Sequence, residues 1–287
     1  WAIIMVGSVN IDEALIVQLD ITSATIELKR KHPKVPKFAA NLSWLFTEVD
    51  FLDRFAAAAE AGFKGVEFLF PYDFRASEIS ARLKEYNLEV VLINAPPGDW
   101  TAGERGLGCV SGRQNDFQES IRLAIDYASA IKCPNIHIMA GIGTADARDV
   151  FVENLHFAAT ECASAGKRGL IEPINDKDMP GYFLTRPDQA MDILDTVSSS
   201  ALGLQLDLYH AACMGFNPNK VIEDCKKSIA HIQIAGVPER CEPDGSDVDF
   251  PALFERIDAI AYDGWVGCEY RPRKTTIDGL GWAFEYL

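Results

Sequence analysis

The stretch LGLQLDLYHAACMGFNPNKVIEDCKKSIAHIQIA, residues 202–235, decides how this chain folds. It begins with an apolar run at 202–210, continues through a segment of helical periodicity at 218–227 and ends in a second apolar run at 229–235. Two short apolar runs separated by one amphipathic helix are typical of a β/α unit, in which both strands lie parallel in one sheet. The stretch therefore predicts one repeat of an α/β fold.

The same alternation continues in both directions and predicts eight strands and eight helices. The strand candidates are 38–46, 65–70, 89–95, 135–140, 169–175, 202–210, 229–235 and 264–270. The helix candidates are 50–61, 77–86, 116–131, 146–165, 187–197, 218–227, 250–261 and 276–286. This count is that of a (β/α)8 TIM barrel, which we expect to form a single catalytic domain over residues 38–287. An open doubly wound sheet is the alternative, but the chain has no GxGxxG or GxxxxGK phosphate loop to support it.

Residues 1–37 do not follow this pattern, and we treat them as an N-terminal extension. Residues 11–28 alternate weakly and are apolar enough to pair as a strand, whereas residues 29–37 form a basic linker that contains proline. An edge strand, a disordered arm and translated upstream sequence all remain open. We expect no catalytic role there, because chain termini are commonly poorly ordered.

The composition limits the partners. The 287 residues include 42 Asp and Glu against 27 Lys and Arg, a formal net charge of −15. This excess of acid argues against nucleic acids and anionic membranes, while one arginine and a metal cation can still bind a small anion. The seven cysteines form no CxxC pair, which is typical of reduced thiols. We therefore predict a cytoplasmic protein with a small anionic substrate, and a homo-oligomer is compatible with this composition.

Four consecutive predicted strands each carry a polar residue near the carboxyl end. In a barrel these ends meet at one face, and three carboxylates brought together there would repel each other unless a divalent cation balanced them. Carboxylate and amide oxygens suit Mg²⁺ or Mn²⁺ better than a structural zinc. Alternation along residues 202–210 also predicts that Asp207 and Tyr209 share one strand face. The four residues are Glu172 in GLIEPIN, Asp207 in LQLDLYH, Gln233 in HIQIA and Glu269 in GCEYRP.

These motifs resemble the hydroxypyruvate isomerase family, within the xylose isomerase-like TIM barrels. The resemblance covers residues from about 38 to 287, and the order and spacing of its pieces make it specific. The pieces are FLFPY at 68–72, NAPPGDW at 94–100, EPIN at 172–175, DMPGYF at 178–183, DLYH at 207–210, HIQIA at 231–235 and GCEYRP at 267–272.

The resemblance implies a metal bound by Glu172, Asp207, Gln233 and Glu269, with the two glutamates as acid and base. It also implies the conversion of hydroxypyruvate into 2-hydroxy-3-oxopropanoate. General chemistry makes these roles plausible, because moving a carbonyl to the neighbouring carbon requires proton transfer through an enediolate, whose charge a cation stabilises.

A substrate carboxylate needs a cationic partner. Arg240, in PERCEP at 238–243, is the first candidate because its guanidinium can bind a carboxylate bidentately, and Arg271 is the second. His210 is a candidate donor to a substrate oxygen. Glu67 could orient a neighbouring group, and we interpret His137 as a packed barrel histidine.

Three alternatives stay open. One is a related isomerase or epimerase acting on a 2-oxo-tetronate or a neutral ketose. Another is a DNA endonuclease of the same barrel class, which five histidines and the charge of −15 disfavour. The third is a non-catalytic barrel, because the segment 163–170 is shorter than the family pattern and leaves little strand before Glu172.

Overall fold

The computed structural model describes residues 16–19, 26–29, 36–143 and 147–287, and the chain divides into two units, Trp1–Val35 and Pro36–Leu287. In the first unit, Ile16–Leu19 pairs antiparallel with Ile26–Lys29. The rest of the predicted extension up to residue 35 lies outside the described residues, so its disorder stays a prediction.

The second unit is a closed barrel of eight parallel strands, which confirms the predicted (β/α)8 fold. Neighbours along the chain pair in order, and the last strand pairs with the first to close the barrel. The strands are β1 (Lys37–Asn41), β2 (Gly65–Phe68), β3 (Glu89–Asn94), β4 (Asn135–His137), β5 (Arg168–Ile171), β6 (Leu202–Asp207), β7 (Ile229–Ile234) and β8 (Trp265–Cys268).

Helices connect these strands on the outside of the barrel, as the periodicity predicts. The predicted final helix is instead a 3-10 helix, Ile277–Ala283, which contains two glycines of low helix propensity. The α-helices are α1 (Arg54–Glu60), α2 (Ala76–Glu85), α3 (Gln114–Ala130), α4 (Ala147–Ser164), α5 (Pro187–Val197), α6 (Leu208–Cys213), α7 (Pro218–Cys225) and α8 (Phe250–Ala259).

The helix α6 corrects the expectation that one strand runs over residues 202–210. The strand β6 ends at Asp207, whose Oδ1 atom accepts hydrogen bonds from the backbone amides of Tyr209 and His210. This carboxylate caps the helix at its first turn, so Tyr209 belongs to a helix and shares no strand face with Asp207.

Alternation within the strands separates the apolar core from the polar interior. On β6 and β7 the residues Leu206 and Ile232 pack in the main apolar cluster, whereas their neighbours Gln205 and Gln233 point the other way, toward the barrel axis. The inner face of these strands is therefore polar and forms the base of the site described below. In the part of the chain that the structure describes, no helix is long and apolar enough to cross a membrane.

Candidate active site

A cavity of about 560 Å³ opens beyond the carboxyl ends of the barrel strands. Four of the residues predicted for the site, Glu172, His210, Arg240 and Glu269, line this cavity. The other two, Asp207 and Gln233, are buried and lie in contact with members of that group. The barrel thus brings all six predicted residues to one place.

The short connection before β5 does not keep Glu172 from the cavity. Helix α4 ends at Ser164 and β5 begins at Arg168, and Gly166 makes the turn with a φ of +63°. A left-handed backbone of this kind favours glycine, which allows the reversal within three residues. Glu172 directly follows β5 and lines the cavity while being 5% exposed.

Glu172, Asp207 and His210 form a compact group of buried oxygen and nitrogen atoms. One ligand atom from each residue lies within 4.8 Å of those of the other two. The His210 Nε2 atom is 3.6 Å from Asp207 Oδ2 and 3.9 Å from Glu172 Oε1. Asp207 Oδ2 has no hydrogen-bond donor among the described residues. A buried carboxylate oxygen that accepts no hydrogen bond, beside a second buried carboxylate, belongs to a donor set that fits a divalent cation.

Gln233 lies beside Glu269, as predicted, but its amide nitrogen faces the carboxylates. The Nε2 atom donates to Glu269 Oε2 at 2.6 Å and to Glu67 Oε1 at 2.7 Å, and Gln205 Nε2 donates to Gln233 Oε1 at 2.6 Å. Asn41 Nδ2 also donates to Glu67 and Glu269. An oxygen ligand from Gln233 requires this amide to turn over, so its role as a metal ligand stays a prediction.

Arg240 lies among carboxylates at the wall of the cavity. Its Nη2 atom is 2.7 Å from Glu269 Oε1 and 3.6 Å from Asp207 Oδ2, and its Nη1 atom is 3.6 Å from Asp178 Oδ2. The guanidinium also lies over the ring of Trp44, 4.5 Å from its centre. This arrangement presents a fixed cation at the cavity wall, as a substrate-carboxylate site requires.

Burial dominates the acid–base properties of the site. It raises the pKa of Glu172 well above its usual value, and repulsion by Asp207 and Glu269 adds to the effect. Burial also raises the pKa of Glu269 to about 8, although the positive charge of Arg240 opposes the shift. Asp207 is raised in pKa for the same reason. Burial lowers the pKa of His210 well below its usual value, so its imidazole is neutral.

Several polar residues outside the predicted set support the site. Asn41 and Gln205 hydrogen-bond to the predicted residues, and His231 Nε2 is 2.6 Å from Glu67 Oε2. Gln205 and His231 could have been found, since each lies two residues before a predicted site residue on the same strand face. His137, interpreted as packing, lines the cavity with Nε2 3.4 Å from Glu172 Oε2.

The chain is similar to proteins of known name. The family model described as xylose isomerase-like TIM barrel matches residues 55–286. The 2-oxo-tetronate isomerase of Cupriavidus necator is 50% identical over 258 residues, 88% of this chain and 99% of that one. The hydroxypyruvate isomerase of Escherichia coli is 42% identical over 255 residues, 87% and 99% of the two chains. The crystal structure titled AP endonuclease, family 2, from Brucella melitensis aligns with a TM-score of 0.86 and 46% identity, over 88% and 99%.

Proposed function

We propose, since this chain belongs to the xylose isomerase-like TIM barrel family, that it is an isomerase of short 2-oxo acids with a hydroxyl on the neighbouring carbon. The favoured reaction is the interconversion of hydroxypyruvate and 2-hydroxy-3-oxopropanoate. The observation that carries this proposal is that Glu172, Glu269 and Arg240 line the same cavity. Two buried carboxyl groups and one guanidinium cation therefore face one substrate-sized space.

A divalent cation, Mg²⁺ or Mn²⁺, is part of the proposal. The residues that would hold it are Glu172, Asp207, Gln233 and Glu269. The Asp207 Oδ2 atom, which accepts no hydrogen bond within the described part of the chain, and the raised carboxyl pKa values support a cation at this position. When bound, the cation would stabilise the negative charge that develops on the substrate during proton transfer.

The two glutamates exchange protons with adjacent carbon atoms. One of them, as a carboxylate, removes the C3 proton of hydroxypyruvate, and the other, as a carboxylic acid, delivers a proton to C2. The C3 hydroxyl loses its proton as that oxygen becomes a carbonyl, and the C2 oxygen gains one. The reaction thus balances without an oxidant or reductant. Burial suits the acid role because it raises the pKa of both Glu172 and Glu269.

Arg240 and His210 bind and orient the substrate in this proposal. The Arg240 guanidinium donates two hydrogen bonds to the carboxylate of the 2-oxo acid. Arg271, which lines the same cavity, is the second candidate for this role. His210 donates a hydrogen bond to a substrate oxygen.

A 2-oxo-tetronate is the second candidate substrate. The relative from Cupriavidus necator with 50% identity carries that name, and a cavity of about 560 Å³ also has room for the additional hydroxymethyl group. The chemistry is unchanged, because the carbonyl again moves between C2 and C3. A DNA endonuclease has weaker support, since the net charge is −15 and the described residues offer one group of candidate metal ligands.

Turnover in D₂O tests the proposal directly. The purified protein is incubated with hydroxypyruvate or with a 2-oxo-tetronate, with and without Mg²⁺ or Mn²⁺, and the products and their deuterium content are followed by NMR. We expect cation-dependent interconversion with deuterium at the new C–H bond. Glu172→Gln should show neither interconversion nor deuterium uptake. Absence of product and exchange from both acids with both cations would refute the proposed function.

A further inference from the structure

The amide of Asn175 has one orientation that its surroundings permit. Asn175 is fully buried in the loop after β5. Its Oδ1 atom accepts hydrogen bonds from the backbone amides of Lys177 at 3.1 Å and Asp178 at 2.8 Å. Because two N–H donors fix the oxygen, Nδ2 must point the other way, where it donates to Asp178 Oδ2 at 3.1 Å.

The second hydrogen of that amide points at the ring of His210. Asn175 Nδ2 lies 2.6 Å from His210 Nδ1, and His210 is 3% exposed. An amide N–H can only donate, so Nδ1 must accept and therefore carries no proton. The one proton of the neutral imidazole then lies on Nε2, which faces the cavity.

We infer that Asn175 is a positioning residue that holds His210 in the Nε2–H form, so that His210 donates a hydrogen bond into the cavity and does not bind a metal ion through Nε2. The carboxylates on that side, Asp207 Oδ2 at 3.6 Å and Glu172 Oε1 at 3.9 Å, are acceptors. Arg240 Nη2 is 3.5 Å from Nε2, but it donates to Glu269 at 2.7 Å.

The tautomer decides between two roles for His210, metal ligand and hydrogen-bond donor, which the distances in the cluster do not distinguish. The Nε2 atom of His210 lies within 4.8 Å of one oxygen each from Glu172 and Asp207. By distance alone, this nitrogen could be a third metal ligand. A protonated nitrogen has no lone pair for a metal. The catalytic part of the inference rests on the proposed isomerase function: the Nε2–H group would stabilise charge on a substrate oxygen during proton transfer.

NMR of the imidazole nitrogens tests the tautomer independently of activity. In protein labelled with ¹⁵N-histidine at neutral pH, we expect His210 to show a protonated Nε2 and an unprotonated Nδ1, with the resonances assigned by their loss in His210→Gln. Asn175→Asp replaces the donor by an acceptor of the same shape, so Nδ1 becomes protonated. Asn217→Asp, the same change at an exposed helix cap, leaves the His210 signals unchanged.

Kinetics test the consequence. We expect Asn175→Asp to lower kcat about a hundredfold with little change in KM, the size of effect seen when one donor to a developing oxyanion is lost. Asn217→Asp should match the unmodified protein. If Asn175→Asp does not fold, Asn175→Ala takes its place, because it also removes the donor. The spectrum of the unmodified protein then tests the tautomer.

A proton on Nδ1 in the unmodified protein, or an unchanged tautomer in Asn175→Asp, would overturn the inference. So would an unchanged kcat in a variant whose tautomer has changed. The expected tautomer in a protein that turns over neither acid would refute the proposed function and leave the role of Asn175 in orienting His210 intact.

Discussion

The Nη2 atom of Arg240 lies 2.7 Å from the Oε1 atom of Glu269, so the cation predicted to bind substrate touches a residue predicted to move protons. Asp207 Oδ2, at 3.6 Å, shares the same guanidinium. A substrate carboxylate must therefore take up a position on Arg240 in competition with protein carboxylates. The contact also joins substrate binding to the acid–base group, because the charge of Arg240 opposes the rise in the pKa of Glu269.

Replacing Arg240 should weaken the binding of acids selectively. We expect Arg240→Ala to raise KM for an anionic 2-oxo acid about tenfold or more, equivalent to at least about 1.4 kcal/mol, and to raise KM for a neutral ketose less. Arg240→Lys should be intermediate, since an ammonium keeps the charge and loses the bidentate fork. Steady-state kinetics with both substrates decide it, and equal effects on the two would count against a carboxylate clamp.

Glu172→Gln and Glu269→Gln should each abolish turnover while the fold persists. Neither amide can accept or deliver a proton, whereas its shape matches that of the carboxyl group. Because burial makes the charged form of Glu172 costly, Glu172→Gln should unfold at the same temperature as the unmodified protein or above it, whereas Glu269→Gln removes the partner of Arg240 and should unfold at a lower temperature. Glu60→Gln, an exposed change on α1, is the matched control. Near-normal rates in either glutamine variant would refute the mechanism with two glutamates.

Glu242 should be needed for substrate binding although it lies outside the predicted site. Arg240 has a φ of +55°, a conformation that a residue with a side chain keeps only when its surroundings enforce it. Nearby anchors are the bond from Arg271 N to Arg240 O at 2.9 Å and that from Arg273 N to Glu242 Oε1 at 2.9 Å. Without the second anchor the loop can relax and move the guanidinium away.

We accordingly expect Glu242→Ala to raise KM for a 2-oxo acid about tenfold, with kcat changed less than about threefold. In an Arg240→Ala background Glu242→Ala should not raise KM further, because both substitutions remove the same interaction between Arg240 and the substrate carboxylate. Asp247→Asn removes one negative charge from the same loop at an exposed position and should have no effect. Additive effects of the two alanine substitutions on KM would show that Glu242 does not act through Arg240.

The barrel could be predicted because its information is local. Each strand and helix is visible as a short periodic segment, and their number and order then fix the fold. The end of β6 could not be predicted in this way. The residues 208–210 continue the apolar alternation, yet the Asp207 carboxylate binds the next backbone amides and begins a helix. Two local hydrogen-bonding choices compete there, and periodicity does not distinguish them.

The site could be predicted where one strand end sufficed and not where closure of the barrel was required. Asn41 and Glu269 are 228 residues apart and meet because β8 pairs with β1. Glu67 and His231, 164 residues apart, meet across the interior. The orientation of the Gln233 amide depends on two partners from neighbouring strands, Gln205 and Glu269, and on Glu67 across the interior. The sequence therefore predicts the residue but not which atom of its amide faces the carboxylates.

Gly267 should be intolerant of even one added carbon, because it lies against the buried carboxylate of Glu67. A Cβ atom at this position of β8 would lie 2.3 Å from Glu67 Oε1 and 2.5 Å from Oε2. Glu67 cannot move aside easily, since hydrogen bonds from Asn41, Gln233 and His231 hold both oxygens.

We expect Gly267→Ala to lower the free energy of unfolding by about 1–3 kcal/mol, as overpacking of a core does. Urea unfolding measures it, and Gly281→Ala is the control, since a Cβ there has no neighbouring atom within 4 Å. Equal stability of the two variants would mean that the Glu67 network adjusts freely, and the fixed orientation of the Gln233 amide would then lose its physical basis.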